Sequence, residues 1–388
     1  MDFKFTAEEQ KIVNEVHELI AREKTPELIK ELDLLGGIFG GPESKKIIQK
    51  IGEKGWLCPT WPKEYGGIES SEMLRFAVMD EIAYSGLPSI YVGACMAGPT
   101  ILKLGSEEMK SRLLPDIAHG KVEYALGYTE PQAGSDLASL EIRAEEKGDY
   151  FVLNGQKMFN TSSHVADYHW LAARTDPNVA KHKGISLMVV DLKSPGITIR
   201  PMITMAGWRT NEVFYDDVKV PKTSLVGEIN RGFYYIMMAL DFERMFTVGH
   251  LRHLFEELVE YVKEIMVNGS PLGKNHVVRQ KLAEIAIELE ASQLLYYQLA
   301  YLLDMGKTVN YQASMQKVFA SEMSQHLTSV GMQIMGLCGQ LQAGSKYVPL
   351  GGRFEWEYRS SIIETIYGGT SEIQRNIIAL RGLGLPAH

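Results

Sequence analysis

Cysteine is scarce in this sequence, which excludes two kinds of architecture. The three cysteines among the 388 residues are Cys58, Cys95 and Cys338. Neither a disulfide framework nor a cysteine-rich metal site can be built from so few scattered thiols. The spacing of His164, His169 and His276 is also not that of metal ligands. We therefore expect no metal site, in a chain suited to a reducing compartment.

Positive charge and long apolar runs are lacking as well. The formal net charge of −8 argues against a broad nucleic-acid surface, although local cations and helix N-termini could still hold an anionic ligand. No window approaches the roughly 20 apolar residues of a membrane span. The opening residues Met1–Thr6 contain neither an apolar signal core nor an arginine-rich transit segment. We expect a cytoplasmic protein that binds no nucleic acid and has no membrane span.

The pattern of residues that is present divides the chain into three predicted domains. Residues 1–122 have helical signals, residues 123–230 consist of short β-branched and aromatic runs, and residues 231–388 return to the helical period. Strands and helices do not alternate. The order predicts an α+β fold, mostly α, and disfavours a doubly wound nucleotide-binding sheet.

Local signals mark several helix starts. Thr6 with Glu9 has the form of a capping box, and Pro26 after Thr25 suits the first helical position. Ser106 precedes two glutamates, which favours another start. Each signal predicts a helix in the first domain.

The middle domain has strong strand signals. Asn154-Gly155 lies between two apolar runs, and this dipeptide fits a type I′ turn, so it predicts a hairpin. Further strands are predicted at Ile185–Val190, Ile197–Ile203 and Val213–Val218. A mostly antiparallel sheet is the simplest arrangement.

Glycine clusters elsewhere are not nucleotide signatures. Gly36-Gly37 and Gly40-Gly41 do not follow a strand, and Gly269–Lys274 lacks the length and the hydroxyl of a phosphate-binding loop. We interpret these clusters as turns.

Three motifs carry chemical information. They are Tyr128–Asp136, Asp241–Arg244 and Ile366–Arg375, in that order along the chain. Together they resemble the acyl-CoA dehydrogenase family, and the resemblance covers nearly the whole chain. It implies an N-terminal helical domain, a middle β-sheet domain and a C-terminal four-helix bundle. It also implies FAD as cofactor, an acyl-CoA substrate, an electron-transfer flavoprotein as partner, and a homotetramer built as a dimer of dimers.

Two positions bear on the catalytic base. Oxidation at the α and β carbons of a thioester needs a base, a hydride acceptor and donors for the enolate oxygen. Some family members carry the base where Gly368 stands, and others, such as those resembling isovaleryl-CoA and long-chain dehydrogenases, carry it where Glu243 stands. A helix through Tyr235–Leu251 would place Glu243 on a face with Phe246 and Thr247, and that apolar setting would raise its pKa.

The resemblance therefore implies Glu243 as base, while a salt bridge is the structural alternative. The resemblance also implies that the Gly368 main-chain N–H donates to the thioester oxygen, and the absence of a side chain would leave room for a branched or ring-containing acyl group. A plain turn is the alternative for Gly368.

The resemblance also implies contacts with FAD. The residues concerned are Leu126, Tyr128, Thr129, Ser135, Phe159, Thr161, Gln333, Gly336, Thr370 and Glu372. Ser135 would contact pyrophosphate or pantetheine, and Gln333 with Gly336 would reach the flavin of a neighbouring subunit. The family's arginine for the partner's FAD pyrophosphate has no match near Asn268-Gly269, and Arg279 or Lys274 is the candidate replacement.

Substrate contacts are implied for four residues: Ser135, Arg244, Tyr91 and Met96. Arg244 could instead form a helix-surface salt bridge, since Asp241 lies three residues before it. A core role is equally open for Tyr91 and Met96.

Two rival functions stay open. One is a vinylogous dehydrogenase or an oxidase for an unsaturated or cyclic acyl-CoA that uses another base. The other is a non-catalytic subunit that completes a partner's flavin pocket in a hetero-oligomer, which the missing arginine makes conceivable.

Overall fold

The computed structural model describes residues 4–35, 41–88, 91–243 and 246–386, without the side chains of residues 33–35 and 241–243. The chain forms two compact units. Unit 1 consists of Met1–Arg22, Glu72–Ser89 and Arg244–His388, and unit 2 of Glu23–Ser71 and Ile90–Glu243. Both units are therefore assembled from separate stretches of chain. The predicted domain limits after residues 122 and 230 stay predictions.

Helices dominate the first third of the chain. They are α1 (Ala7–Glu23), α2 (Pro26–Leu35), α3 (Pro42–Glu53), α4 (Glu72–Tyr84), α5 (Gly98–Leu104) and α6 (Glu107–Ala118). The predicted capping box is present, since the Thr6 N–H donates to Glu9 Oε2 at 2.8 Å and the Glu9 N–H donates to Thr6 Oγ1 at 3.2 Å. Ser106 caps α6 by accepting from the Met109 N–H. All three predicted helix starts are confirmed.

The middle of the chain forms a seven-stranded sheet. Its strands are β1 (Tyr124–Gly127), β2 (Arg143–Lys147), β3 (Tyr150–Lys157), β4 (Tyr168–Arg174), β5 (Ile185–Asp191), β6 (Ile197–Ile203) and β7 (Arg209–Pro221). The strand order is β1-β4-β2-β3-β7-β6, with β5 on β4. Pairing is antiparallel except where β4 meets β1 and β2. The mostly antiparallel sheet and its three later strands are confirmed.

The predicted hairpin at Asn154-Gly155 is wrong. Both residues lie inside the continuous strand β3, where the pairing with β7 shifts register between Leu153 and Gly155. Asn154 Nδ2 donates to Asp217 Oδ1, and the Asp217 N–H donates to Asn154 Oδ1, both at 2.9 Å. Gly155 has φ of 141°, so the dipeptide forms a bulge whose partner strand lies some 60 residues away in sequence.

A second Asn-Gly pair does form a two-residue hairpin. Helix α7 (Gly232–Glu243) and helix α8 (Gly249–Glu264) are followed by β8 (Met266–Val267) and β9 (Ser270–Pro271). Asn268 and Gly269 join these short strands with φ of 50° and 78°. The turn predicted at Gly269 is confirmed. Of the other glycine clusters, only Gly41 lies among the described residues.

The rest of the chain is helical: α9 (His276–Asp304), α10 (Asn310–Met335), α11 (Arg353–Glu364) and α12 (Ser371–Ile377). Leucines of α8 pack with Ile285 of α9, Leu327 of α10 and Phe354 of α11 in one core cluster. The predicted fold class, α+β and mostly α with a C-terminal helical bundle, is confirmed. Among the described residues, no helix is both long and apolar enough to cross a bilayer.

Helix α7 is shorter than predicted. A helix through Leu251 is wrong, because α7 ends at Glu243 and α8 begins at Gly249. Phe246 and Thr247 are therefore not on a helical face with Glu243. The chain departs from the helix because distant side chains bind its main chain: Gln316 binds Phe246, and Asp80 accepts from the N–H groups of Val248 and Gly249.

Candidate active site

In unit 2, the end of β1 lies against the end of β3. The Met158 N–H donates to the Thr129 carbonyl at 2.9 Å, and Asn160 Nδ2 donates to the Leu126 carbonyl at 2.8 Å. The structure thus brings together five predicted flavin contacts: Leu126, Tyr128, Thr129, Phe159 and Thr161. We call these two facing segments the β1–β3 segments.

A buried ion pair supports the β1–β3 segments. Lys157 Nζ donates to the Tyr128 carbonyl and to Glu130 Oε1, each at 2.8 Å, and both charged side chains are buried. The same carboxylate accepts from the N–H groups of Glu141 and Ile142. Burial lowers the pKa of Lys157 to about 8, although the Glu130 carboxylate opposes the shift. The pair therefore fixes the carbonyl of a predicted flavin contact.

Asn160 and Asn211 link the end of β3 to β7. The Asn160 N–H donates to the Asn211 carbonyl, and Asn211 Nδ2 donates to the Asn160 carbonyl, both at 2.9 Å. Thr161 Oγ1 lies 3.1 Å from Thr210 Oγ1. Phe159, the residue before this link, is 58% exposed and has φ of 59°. A bulky residue rarely adopts this conformation, and it presents an aromatic ring to an open surface.

Three other predicted residues of unit 2 lie away from this network. Ser135 is exposed in the loop after Tyr128. Met96 is buried inside a π-helical turn, Gly93–Ala97, and the hydroxyl of Tyr91 just before that turn is buried without a hydrogen-bond partner. π-Helical turns are frequent at functional sites. Tyr91 thus offers a donor that a ligand could use.

Glu123 lies next to the same turn. Its carboxylate accepts from the Gly93 N–H at 3.1 Å, and burial nevertheless raises its pKa to about 7. Glu123 directly precedes β1, so a titratable group lies three residues before Leu126.

In unit 1, the loop at Gly368 and Gly369 connects α11 to α12. Both glycines have positive φ, 62° and 91°. Lys317 Nζ donates to the carbonyls of Glu364 at 2.7 Å and Gly369 at 3.1 Å. Gln374 Nε2 donates to the Gly368 carbonyl at 2.7 Å. Buried side chains thus hold the carbonyls on both sides of this loop, here called the Gly368 loop.

Thr370 and Glu372 follow the Gly368 loop at the start of α12. Thr370 is the N-cap, and its hydroxyl accepts from the Ile373 N–H at 3.2 Å. Glu372 is exposed, and its own main-chain N–H and the Thr370 hydroxyl lower its pKa. The Thr370 hydroxyl therefore caps α12, and its predicted contact with FAD would be made in addition to this cap.

The predicted partner-flavin residues lie at the ends of α9 and α10. Gln333 is exposed near the end of α10, and Gly336 follows at φ of 61° with open space around its Cα. The Gln333 amide oxygen accepts from Lys281 of α9. Arg279 and Lys274 are exposed and make no such contact with Gln333 among the described residues. Sequence reasoning missed Lys281, whose only signal was its place two residues after Arg279.

The side chain of the predicted base, Glu243, and the whole of the predicted substrate contact Arg244 lie outside the described part of the structure. The main chain of Glu243 ends α7, but its side chain is not among the described side chains, and Arg244 lies outside the described residues. Three residues beyond Glu243, the main chain is held firmly. Gln316 Oε1 accepts from the Phe246 N–H at 3.0 Å, and Gln316 Nε2 donates to the Phe246 carbonyl at 2.6 Å.

A titratable cluster surrounds the end of α11. Burial raises the pKa of Glu364 to about 7, opposed by the Ser324 hydroxyl and by the charges of His250 and Lys317. His250 Nε2 lies 2.9 Å from Glu357 Oε1. Burial lowers the pKa of His250, but the Glu357 carboxylate outweighs it, so the net shift is upward. Glu364 Oε2 is buried without a hydrogen-bond partner.

The residues present fit a flavin in part. Main-chain groups, hydroxyls and the exposed ring of Phe159 are suitable neighbours for a polar-edged aromatic ring system. The hairpin β8–β9 has no cation for a pyrophosphate at Asn268 or Gly269. Among the described residues, no three His, Cys, Asp or Glu side chains are grouped to hold a metal ion.

Comparison with known proteins gives full-length matches. Models of the acyl-CoA dehydrogenase N-terminal, middle and C-terminal domains match residues 6–121, 125–218 and 230–383. Acyl-CoA dehydrogenase FadE26 of Mycobacterium tuberculosis is 35% identical, with 100% of this chain and 99% of the relative covered. The structures described as the Tcur3481-Tcur3483 steroid ACAD and the ChsE4-ChsE5 complex from Mycobacterium tuberculosis each match at 34% identity, a TM-score of 0.91 and 100% coverage of both chains.

Proposed function

Because the chain belongs to the acyl-CoA dehydrogenase family, whose members are FAD-dependent oxidoreductases acting on CH–CH bonds, we propose that it converts an acyl-CoA thioester to the enoyl-CoA with Glu243 as base. One observation carries the assignment of the base. Gly368 occupies the alternative position for a base, at a left-handed φ of 62° that a side chain rarely adopts. Glu243 is the carboxylate at the family's other position for the base.

In the proposed reaction, Glu243 takes the α proton and the Gly368 N–H donates to the thioester oxygen as charge develops there. Bound FAD would supply the hydride acceptor.

The β1–β3 segments of unit 2 are proposed to hold the flavin. Leu126, Tyr128 and Thr129 would supply main-chain and polar contacts, and Phe159 with Thr161 would cover the ring system. An electron-transfer flavoprotein is the proposed electron acceptor. Ser135, Tyr91, Met96 and Arg244 stay predicted substrate contacts.

The proposed substrate has a bulky, ring-containing acyl group. A glycine at position 368 leaves volume that a carboxylate would fill, and one full-length structural relative is described as a steroid enzyme. Straight-chain thioesters would leave that volume empty, which costs contact energy.

Anaerobic bleaching of the flavin near 450 nm tests the function. The panel would contain straight-chain, branched, cyclohexanoyl and sterol-side-chain CoA thioesters. We expect one class to bleach the wild type and Glu243→Gln to lose this reaction by about 1,000-fold or more while retaining FAD and ligand, because the base is removed. Glu264→Gln, which changes the last residue of α8, is the matched control and should bleach like the wild type.

Other outcomes are equally informative. Unchanged bleaching by Glu243→Gln would mean that another group is the base, as the vinylogous alternative requires. A wild type that holds FAD but bleaches with no thioester would contradict the dehydrogenase proposal itself.

A second candidate concerns assembly. The expected homotetramer would need each chain to supply a cation to its neighbour's FAD, and the β8–β9 hairpin has none at Asn268-Gly269. A hetero-oligomer with a related chain that carries this cation is therefore a candidate, in keeping with the two-component names of the structural relatives. Light scattering and the FAD content of the chain expressed alone distinguish them: a tetramer with four FAD supports the homotetramer, whereas FAD-poor protein supports the partner model.

If the chain does form a homotetramer, Lys281 is the better candidate cation than Arg279, because it already contacts Gln333. Lys281→Ala should then lower the FAD content more than Arg279→Ala. Equal losses would contradict this choice.

A further inference from the structure

Two adjacent residues of α10 hold the two segments that the proposed chemistry needs. Gln316 is fully buried, and both ends of its amide bind the Phe246 main chain. Phe246 lies three residues after Glu243, in the connection between α7 and α8. The amide satisfies an N–H and a carbonyl that would otherwise have no helical partners, so it stabilises this connection in its non-helical form.

Asp80 holds the same connection from its other end. Its Oδ1 accepts from the N–H groups of Val248 at 2.9 Å and Gly249 at 2.6 Å. Asp80 acts on the first turn of α8, as an anion at a helix N-terminus does. Of these two side chains, Gln316 binds the main chain closer in sequence to the proposed base.

Lys317, the next residue of α10, holds the Gly368 loop. It is also buried, and it donates to the carbonyls of Glu364 and Gly369, on either side of Gly368. Its ammonium lies 5.8 Å from the ring centroid of Tyr367. Because Gly368 and Gly369 have no side chains to limit their conformations, such contacts determine where the Gly368 N–H points.

We propose that Gln316 and Lys317 are positioning residues through which one helix sets both the connection that follows Glu243 and the Gly368 loop. The proposal rests on the proposed function. A shift of α10, or loss of either side chain, would displace one of the two segments relative to the other. Because reacting groups must meet within a few tenths of an ångström, a displacement of about 1 Å costs roughly 100-fold in rate.

The two residues should have separable effects. Both described hydrogen bonds of Gln316 go to Phe246, in the connection that follows the proposed base, so its loss should slow removal of the α proton. Lys317 contacts the Gly368 loop, so its loss should weaken the hydrogen bond to the thioester carbonyl. A residue with a purely structural role would not produce this split.

A non-oxidisable probe can measure both effects. We would use the 3-thia analogue of the acyl-CoA that bleaches the wild type fastest, in which sulfur replaces the β carbon and blocks hydride transfer. Exchange of its α protons in D2O reports the base alone. The stretching frequency of its 13C-labelled thioester carbonyl, from infrared difference spectra of the FAD-loaded enzyme, reports the hydrogen bond from the Gly368 loop.

We expect Gln316→Leu to lower α-proton exchange by roughly 10- to 100-fold. Its carbonyl frequency, FAD content and Kd for the analogue should stay near those of the wild type. Lys317→Met should shift the carbonyl frequency toward that of the free ligand, with a smaller loss of exchange. Ser321→Ala is the control on the same helix, because its buried hydroxyl donates within α10, to the Val318 carbonyl.

Three outcomes would overturn the proposal: exchange by Gln316→Leu at the wild-type rate, an unchanged carbonyl frequency in Lys317→Met, or equal loss of both readouts in both variants in proportion to lost FAD. Should either variant fail to fold, Gln316→Asn and Lys317→Arg provide the same split, because each keeps the polar group at a changed reach. Failure of the wild type to exchange the α proton would contradict the proposed function instead.

Discussion

The β1–β3 segments of unit 2 and the Gly368 loop of unit 1 differ in the groups that buried lysines bind there. In unit 2, Lys157 binds the Tyr128 carbonyl and a buried carboxylate, Glu130. In unit 1, Lys317 binds two carbonyls that flank the Gly368 loop. Loss of Lys157 would leave the Glu130 carboxylate buried without its hydrogen-bonded cation, whereas these two hydrogen bonds of Lys317 end on neutral carbonyl oxygens. Lys157 should therefore govern the stability of unit 2, whereas Lys317 should govern the position of the Gly368 loop.

Lys157→Met should have the largest effect on stability. It leaves the Glu130 carboxylate buried without its cation, so we expect the free energy of unfolding to fall by about 3 to 5 kcal/mol and FAD to be lost. Urea unfolding followed by circular dichroism measures the change. The double variant Lys157→Met with Glu130→Leu should recover much of it, and a double variant as unstable as the single one would contradict the charge argument.

Gly369→Ala should have the next largest effect, within unit 1. The residue has φ of 91°, and an added Cβ would lie 2.6 Å from Gln374 Nε2, which binds the Gly368 carbonyl. We expect a cost of about 1 to 3 kcal/mol, expressed as slower flavin reduction. Gly344→Ala is matched in backbone conformation, with φ of 87° and no atom within 4 Å of its Cβ. Equal flavin reduction rates in the two variants would show that the loop's position is unimportant.

Glu364→Gln should change the pH dependence of unit 1. The folded-state pKa of Glu364 is raised from 4.5 to about 7, so the folded protein binds more protons than the unfolded chain between these values. This contribution to stability is present below pH 4.5 and is lost as pH rises through 7. The wild type should lose on the order of 1 kcal/mol relative to the variant between pH 5 and pH 8.

Thermal unfolding at the two pH values measures the difference for Glu364. His250, Glu357 and Lys317 face the same group, so Glu372→Gln, at an exposed carboxylate outside the cluster, is the control. A constant difference in Tm between Glu364→Gln and the wild type would argue against a raised pKa.

The smallest effect is expected for Asn154→Ala in unit 2. Its two hydrogen bonds with Asp217 are solvent-exposed, so their loss should cost about 0.5 to 1 kcal/mol. Chemical unfolding again measures it, with retention of FAD expected. If the free energy of unfolding fell as much as in Lys157→Met, the bulge would be as important as the ion pair for the stability of the β1–β3 segments.

The two Asn-Gly pairs show where sequence reasoning succeeds. Asn268-Gly269 forms a two-residue turn between β8 and β9, in keeping with its local preference. Asn154-Gly155 has the same local preference, but pairing along β7 and the contact with Asp217 extend the strand through it. Local patterns therefore predicted the helix starts, three of the strands and the fold class. They did not predict pairings set by residues remote in sequence.

The same limit applies to the candidate site. The resemblance singled out Leu126, Tyr128, Thr129, Phe159 and Thr161, and hydrogen bonds from Met158 and Asn160 join the two segments that carry them. No sequence pattern identified the supporting residues Lys157, Gln316 and Lys317, because a buried polar residue in a strand or helix resembles a surface residue in sequence. Their partners lie 27 to 70 residues away, beyond any helical or strand period. The roles of the predicted residues stay predictions.

The division of the chain also has a consequence for biosynthesis. Unit 2 ends at Glu243, so a ribosome has made all of it before the last 145 residues of unit 1 begin to emerge. Helix α4 of unit 1, by contrast, must wait for its partners, since Asp80 binds main-chain groups 168 and 169 residues later. During translation its apolar face stays exposed until those partners have been made. The nascent chain should therefore need a chaperone most between the synthesis of α4 and that of α8.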